Sequence, residues 1–291
     1  MRIRKRVPLL SATGMALILA MQPASAFDPD KVFGADAGAR HILKYGFDAL
    51  RDGRHDDALG AFRHGAEQEH VASQWKLARM LESGVGVQRD QLAAYRLYER
   101  IAERFNDLPP NRIDRPYVAN SVVSLGRYAL TGIEGTEVAA DPRVAEFHFY
   151  RAAALYGDAE AQFQLGQLYN SAQLGTARPR TAARWYKLAS RKGHPKAQAE
   201  LGNMLFHGEG IRPNRVKGLA YLMYAARQSA KSGFQRIRDL RRDAFAKASQ
   251  AQRDAAARFV ARLSPGIAAE AATEITGQGL AEQPSNKTVN R

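Results

Sequence analysis

Apolar residues recur along this chain at helical spacing, and the recurrence itself repeats. Four segments line up: Gln74-Trp75-Lys76-Leu77-Ala78, Val122-Val123-Ser124-Leu125-Gly126, Gln162-Phe163-Gln164-Leu165-Gly166 and Gln198-Ala199-Glu200-Leu201-Gly202. Their Leu residues are 48, 40 and 36 positions apart. A second apolar helix follows each segment, carrying Leu97-Tyr98, Phe149-Tyr150, Trp185-Tyr186 or Tyr221-Leu222, at 20, 24, 20 and 20 residues from the Leu. A period of this length marks stacked supersecondary units, each burying its apolar stripe against the next. Each unit reads as two helices and a turn. Ala78, Gly126, Gly166 and Gly202 are small enough to let the two backbones approach at the crossing. Gly84-Val85-Gly86 and Gly208-Glu209-Gly210 supply the positive φ that tight turns need. Asp141-Pro142 reads as an N-cap followed by proline at the first helical position. The predicted architecture is all-α, a helix-turn-helix repeat superhelix (an α-solenoid) with a C-terminal capping helix.

These residues resemble the Sel1-like repeat, a relative of the tetratricopeptide repeat. The match is sharpest from Gln162 through Trp185-Tyr186 to Gly193-His194-Pro195-Lys196-Ala197. An earlier unit resembles a plain tetratricopeptide repeat: Gly46, Ala49, Ala58 and Phe62 fall at that family's spacings, and Gly53-Arg54-His55 is the shorter turn. The expected organisation is a tetratricopeptide-like unit at 27–72, four Sel1-like repeats at 73–228, a basic capping helix region at 229–263 and a disordered tail at 264–291. Two irregularities stand out. The third unit carries a four-residue insertion around Thr131 to Ala140. A longer excess between units two and three contains Pro109-Pro110 and Pro116, and residues 106–120 are expected to be an extended insert.

The first 26 residues change the picture of where the chain works. Arg2, Arg4, Lys5 and Arg6 precede an uncharged run from Val7 to Met21, and Ala24-Ser25-Ala26 follows. That is the order of a secretory signal peptide, with cleavage expected after Ala26 and the mature chain in the periplasm. The 15-residue run is short for a membrane span of about 20 residues. There is no cysteine, which excludes disulfides, thiolate metal sites and cysteine nucleophiles. The formal charge of +14 falls to +10 without the leader. Such a balance fits an acidic protein, an acidic polysaccharide or anionic lipid, or serves solubility alone; the destination argues against nucleic acid.

Catalytic chemistry is thin. Ser73-Gln74-Trp75-Lys76 fits S-x-x-K and Lys231-Ser232-Gly233 imitates K-T-G, as in penicillin-binding enzymes. In a helical array those motifs lack the strand they need, and no S-D-N element lies between them. The seven histidines show no H-E-x-x-H spacing. His194 reads as structural, and the aromatic residues as core. No enzyme activity, cofactor or metal is expected.

Binding is the positive reading. In a superhelix of helix pairs the first helices line a concave face. Two residues after each anchoring Leu come Arg79, Arg127, Gln167 and Asn203, and three further on come Glu82, Leu130, Asn170 and Phe206. This mixed column suits a peptide or a partner's helix. The basic cap, with Arg241 and Arg242, is the rival surface. Region 229–263 holds nine Lys or Arg against three Asp.

Along its length the chain resembles a family of periplasmic negative regulators of exopolysaccharide production. That resemblance implies a repressor that binds the periplasmic sensing region of an inner-membrane sensor histidine kinase and holds this two-component system inactive. A scaffold or adaptor for envelope assembly or secretion is the alternative, and a wall-active enzyme is a remoter one.

Overall fold

A computed structural model describes residues 27–33, 38–106, 111, 113–229 and 234–263. The expected signal peptide, the expected tail and Lys231-Ser232-Gly233 lie outside the described residues. Among the described residues there are thirteen helices and no strand. They are α1 (Pro29–Phe33), α2 (Ala39–Arg51), α3 (His55–Glu67), α4 (Val71–Ser83), α5 (Gln91–Arg104), α6 (Arg115–Thr131), α7 (Pro142–Leu155), α8 (Ala159–Asn170), α9 (Pro179–Arg191), α10 (Pro195–His207), α11 (Arg215–Gln228), α12 (Gln235–Lys247) and α13 (Gln250–Leu263). No helix among them is long and apolar enough to cross a membrane.

The chain forms two compact units. The first runs to Tyr128 and includes 132–139; the second holds 129–131 and everything from Ala140 on. In the first, α2 packs on α3, α3 on α4 and α4 on α5. Phe27 is part of it: its ring lies 5.9 Å from Phe33 and 6.1 Å from Tyr45. In the second, each helix from α7 to α11 packs on its neighbour in sequence, and α12 and α13 both pack on α11.

Three devices recur. The first is close approach at the helix crossing. A Cβ on Gly166 would lie 2.3 Å from the Tyr186 ring, and one on Gly202 would lie 2.9 Å from the backbone oxygen of Gly218. Glycine inside a helix costs about 1 kcal/mol relative to alanine. Here that cost is outweighed, because any side chain would force the helices apart. The second is polar stapling across successive helices. The buried amides of Gln74 and Gln198 donate to the carbonyls of Ala66 and Ser190, each eight residues earlier, in the last turn of the preceding helix. Those carbonyls already accept the N–H groups of Glu69 and Gly193 in the turns that follow, and each glutamine amide adds a second bond that ties the next helix to the turn. The third is capping. Asp90, Asp141, Asp158 and Asn214 accept backbone N–H bonds at the starts of α5, α7, α8 and α11. Gly84 and Gly208 end α4 and α10 in the left-handed conformation.

Three expectations change. The insertion in the third unit is three residues, not four. The buried knob of its second helix is Phe149, 24 residues after Leu125, whereas Tyr98, Tyr186 and Leu222 each lie 21 after their Leu. Tyr150, paired with Phe149 by pattern alone, faces outward. Residues 115–120 of the expected extended insert are helical instead, while Pro109-Pro110 lie outside the described residues: α6 begins at Arg115, and Pro116 sits in its first turn, where a missing N–H breaks no intrahelical bond. The cap is two helices rather than one, divided at Ala248, whose ψ of 141° is extended.

Leu165 and Leu201 are both buried in the second unit. Truncating either to Ala should lower stability by about 2–5 kcal/mol, while exposed Gln167→Ala should change it by less than about 0.5 kcal/mol. Gly202→Ala should cost about 1–3 kcal/mol, because its clash is with backbone. Chemical denaturation of the purified variants checks all four. Equal stability of Leu201→Ala and wild type would mean the helix register is wrong.

Candidate functional site

The residues expected to form a binding column are divided between the two units. In the first, Arg79 and Glu82 lie one turn apart on α4 and pair at 3.4 Å. Glu82 also accepts a hydrogen bond of 3.1 Å from the hydroxyl of Tyr98, a buried residue of α5. Burial first, and then the Glu82 charge, push the Tyr98 hydroxyl far above the usual phenol range. The same causes push the nearby Tyr128 up to about 12. Both phenols therefore stay neutral and act as donors or packing groups. Arg127, half-buried on α6, donates to the buried Ser124 hydroxyl at 3.0 Å. These charged side chains belong to an internal network. Arg79→Glu would set a second carboxylate beside Glu82, so Arg79→Ala is the cleaner probe of a partner contact.

In the second unit, Gln167 and Asn170 are exposed on α8, and Asn203 on α10 lies 3.4 Å from the Glu209 carboxylate. Phe206 does not belong to a surface column. It is buried, with the Arg215 guanidinium 5.3 Å from its ring centre. The Arg242 guanidinium pairs with Asp239 at 2.7 Å, and Arg241 is half-buried on the same helix.

The strongest electrostatic link of the cap escaped the sequence reading. Arg236 on α12 grips Glu200 on α10 through two bonds of 2.6 and 3.2 Å. Glu200 is buried, and the arrangement raises the Arg236 pKa, first through the hydrogen bond and then through the charge. The sequence held one signal for it: a glutamate at a position whose equivalent in the preceding repeat is Gln164. His194 also ties neighbours together. Its Nδ1 accepts from the Ala197 N–H at the start of α10, its Nε2 lies 3.0 Å from Glu160 on α8, and its ring stacks 4.8 Å from Phe163. Ser73 of the S-x-x-K match is fully buried, 2.9 Å from His70 Nδ1. That is a packing position without solvent access for a substrate.

A groove of about 550 Å³ lies between the α10–α11 turn and the start of α9. Arg178, Arg180 and Arg212 line it together with Gly208 and Gly210. Among the described residues no group of three His, Cys, Asp or Glu is placed to hold a metal ion.

The repeating geometry defines a class of fold, an array of short antiparallel helix pairs stacked on their neighbours in sequence. The Sel1 repeat matches residues 71–104, 123–156, 159–194 and 195–229. An exopolysaccharide production negative regulator of Rhizobium meliloti is 34% identical over 84% of this chain and 90% of its own length. Its counterpart from Rhizobium leguminosarum bv. viciae is 33% identical over the same shares. A Sel1 repeat protein from Oxalobacter formigenes, 19% identical, matches in fold with a TM-score of 0.56 over 69% of this chain and 75% of its own. The chain belongs to the Sel1-repeat family that the two rhizobial proteins represent.

One buried titratable group yields a pH prediction. His148 on α7 is depressed to about 4, chiefly by burial and secondarily by the Arg151 charge. Its Nδ1 has no hydrogen-bond partner. The folded state therefore favours the neutral ring, and an unfolded histidine titrates near 6.5. The stabilisation is complete above pH 6.5 and is lost progressively as the pH falls toward 4. Melting curves across that window should show a steeper decline for wild type than for His148→Leu. Parallel declines would remove His148 from the account.

Proposed function

We propose that this chain is a periplasmic negative regulator of exopolysaccharide production, acting by binding the sensing region of an inner-membrane sensor histidine kinase and holding it inactive. The observation that carries the reading is identity of 34% and 33% to two proteins named for that negative regulation, over nine-tenths of their lengths. The leader-like first 26 residues support the compartment. A helical repeat array without an evident catalytic constellation supports action by binding rather than by chemistry. Within this reading the contact residues are Arg79, Glu82, Arg127, Gln167, Asn170 and Asn203 on the first helices, or Arg241 and Arg242 on the cap.

Deleting the coding sequence should raise exopolysaccharide output, and the protein recovered from the periplasm should begin at Phe27. Purified chain should bind the kinase's sensing region. Arg79→Ala should weaken that binding if the first helices make the contact, and the double change of Arg241 and Arg242 to Glu should do so if the cap does. Wrong-sign charge at a docked surface costs several kcal/mol. Unchanged exopolysaccharide in the deletion strain would end the regulator reading.

A further inference from the structure

Helix α7 departs from its sister helices on its outward side. Aligned on the buried knobs Tyr98, Phe149 and Tyr186, its residues Phe147, Tyr150 and Leu155 occupy the places of Arg96, Glu99 and Arg104 in α5, and of Arg184, Lys187 and Lys192 at α9. Two repeats put charge at all three positions, and this one puts large apolar groups there. Those groups are left in solvent: Phe147 is 62% exposed, Leu155 59%, Tyr150 55% and Val144, one turn earlier, 44%. An aromatic residue exposed to that extent forfeits the burial that would stabilise the fold. In α11 the same places are Ala220, Met223 and Gln228, and the first two are buried, so large apolar groups left exposed here mark a surface rather than a packing defect. Sequence pattern, which takes the aromatic residues at packing positions for core, misses it because the three-residue insertion hides the register.

The neighbouring helix sets the chemistry of what covers this face. The Tyr150 ring meets Trp185 of α9 edge-on at 6.1 Å. Around that contact α9 carries Arg180, Arg184, Lys187 and Arg191 and no acidic residue. Leu188, 40% exposed, adds to the apolar strip. Arg180 also lines the arginine groove at the start of the helix. The glutamate of α7, Glu146, is held by the Tyr169 hydroxyl. The face is thus an apolar stripe of about two turns beside a row of cations.

We propose that the outward face of α7 and α9 is a docking surface for an acidic, amphipathic segment of a partner protein, with Phe147 and Tyr150 as its anchors. The proposal rests on the reading that this chain acts by holding another protein. Apolar anchors at positions 144, 147 and 150 suit a partner helix laid alongside, and the cations of α9 complement acidic residues flanking its apolar face. A second copy of this chain, with formal charge +10 once the leader is removed, is electrostatically mismatched to that row. A lipid surface calls for an apolar face along a whole helix, and Arg151 interrupts this one.

The test begins with the full chain carrying p-benzoylphenylalanine at position 147, or at position 167 as a reference on a first helix, irradiated in intact cells. Sequencing of the crosslinked peptide should identify a protein segment rich in Asp and Glu with apolar residues at helical spacing. Capture should be lost when Arg184 and Lys187 are both changed to Glu. A crosslink to lipid, to a second copy or to a segment without that acidic character overturns the proposal, as does absence of any crosslink at 147. With the kinase's sensing region as the purified probe, the double variant Phe147→Ala/Tyr150→Ala should bind about tenfold more weakly or worse, with an unchanged melting temperature. Equal affinity overturns the docking surface while leaving the regulator reading intact. If wild-type chain fails to bind that probe, the kinase partner is wrong, and the crosslink at 147 alone decides the docking surface.

Discussion

The structure depends on how closely two helix backbones can approach. Between α10 and α11, a carbonyl of one glycine faces another glycine with no room for a methyl group. That contact brings Leu201, Met204, Leu222 and Met223 near enough to exclude water. Everything outside the crossing follows from it. The turn must be short enough to return the chain, so Gly208 takes a positive φ. The second helix must start at a fixed point, so Asn214 caps it. Dispersion and hydrophobic gains fall off steeply with separation, and a displacement of even half an ångström at the crossing would loosen every contact around it.

Much of this was legible in the sequence because the crossing residues are of restricted type. Each is glycine or, at position 78, alanine, and an apolar knob must follow at a fixed distance, so the repeat could be found by counting. The count went wrong where the chain inserts residues. At the third repeat the pattern could pair either Phe149 or Tyr150 with Leu125, since both are aromatic and adjacent. Burial alone separates them. Pro116 misled for a related reason: proline marks the interruption of one helix and the first turn of the next equally well. The helix that starts at Arg115 had no strong side-chain cap to announce it.

The candidate binding residues were less legible than the fold. Position in a repeat says which face a side chain belongs to, but not what it is already bonded to. Arg79, Glu82 and Tyr98 form one network across two helices, and Glu200 holds Arg236 from 36 residues away. Local pattern marks Glu200 as unusual for its place in the repeat but does not reveal its partner. A buried carboxylate with two charge-assisted bonds is informative for another reason: removing its arginine would leave a charge stranded in a low-dielectric site. The cap is thereby committed to one place on the last repeat.

The stapling glutamines have a consequence for how the chain acquires its structure. Each bond spans only eight residues, and the helix crossings span about twenty. Contacts so near in sequence close small loops, so little chain entropy is lost before a contact begins to stabilise. A protein built this way can nucleate in any repeat and grow outward by nearest neighbours, without waiting for its two ends to find each other. That suits a chain of 291 residues with no cysteine, which has no covalent bridge to hold a half-formed core while the remainder arrives.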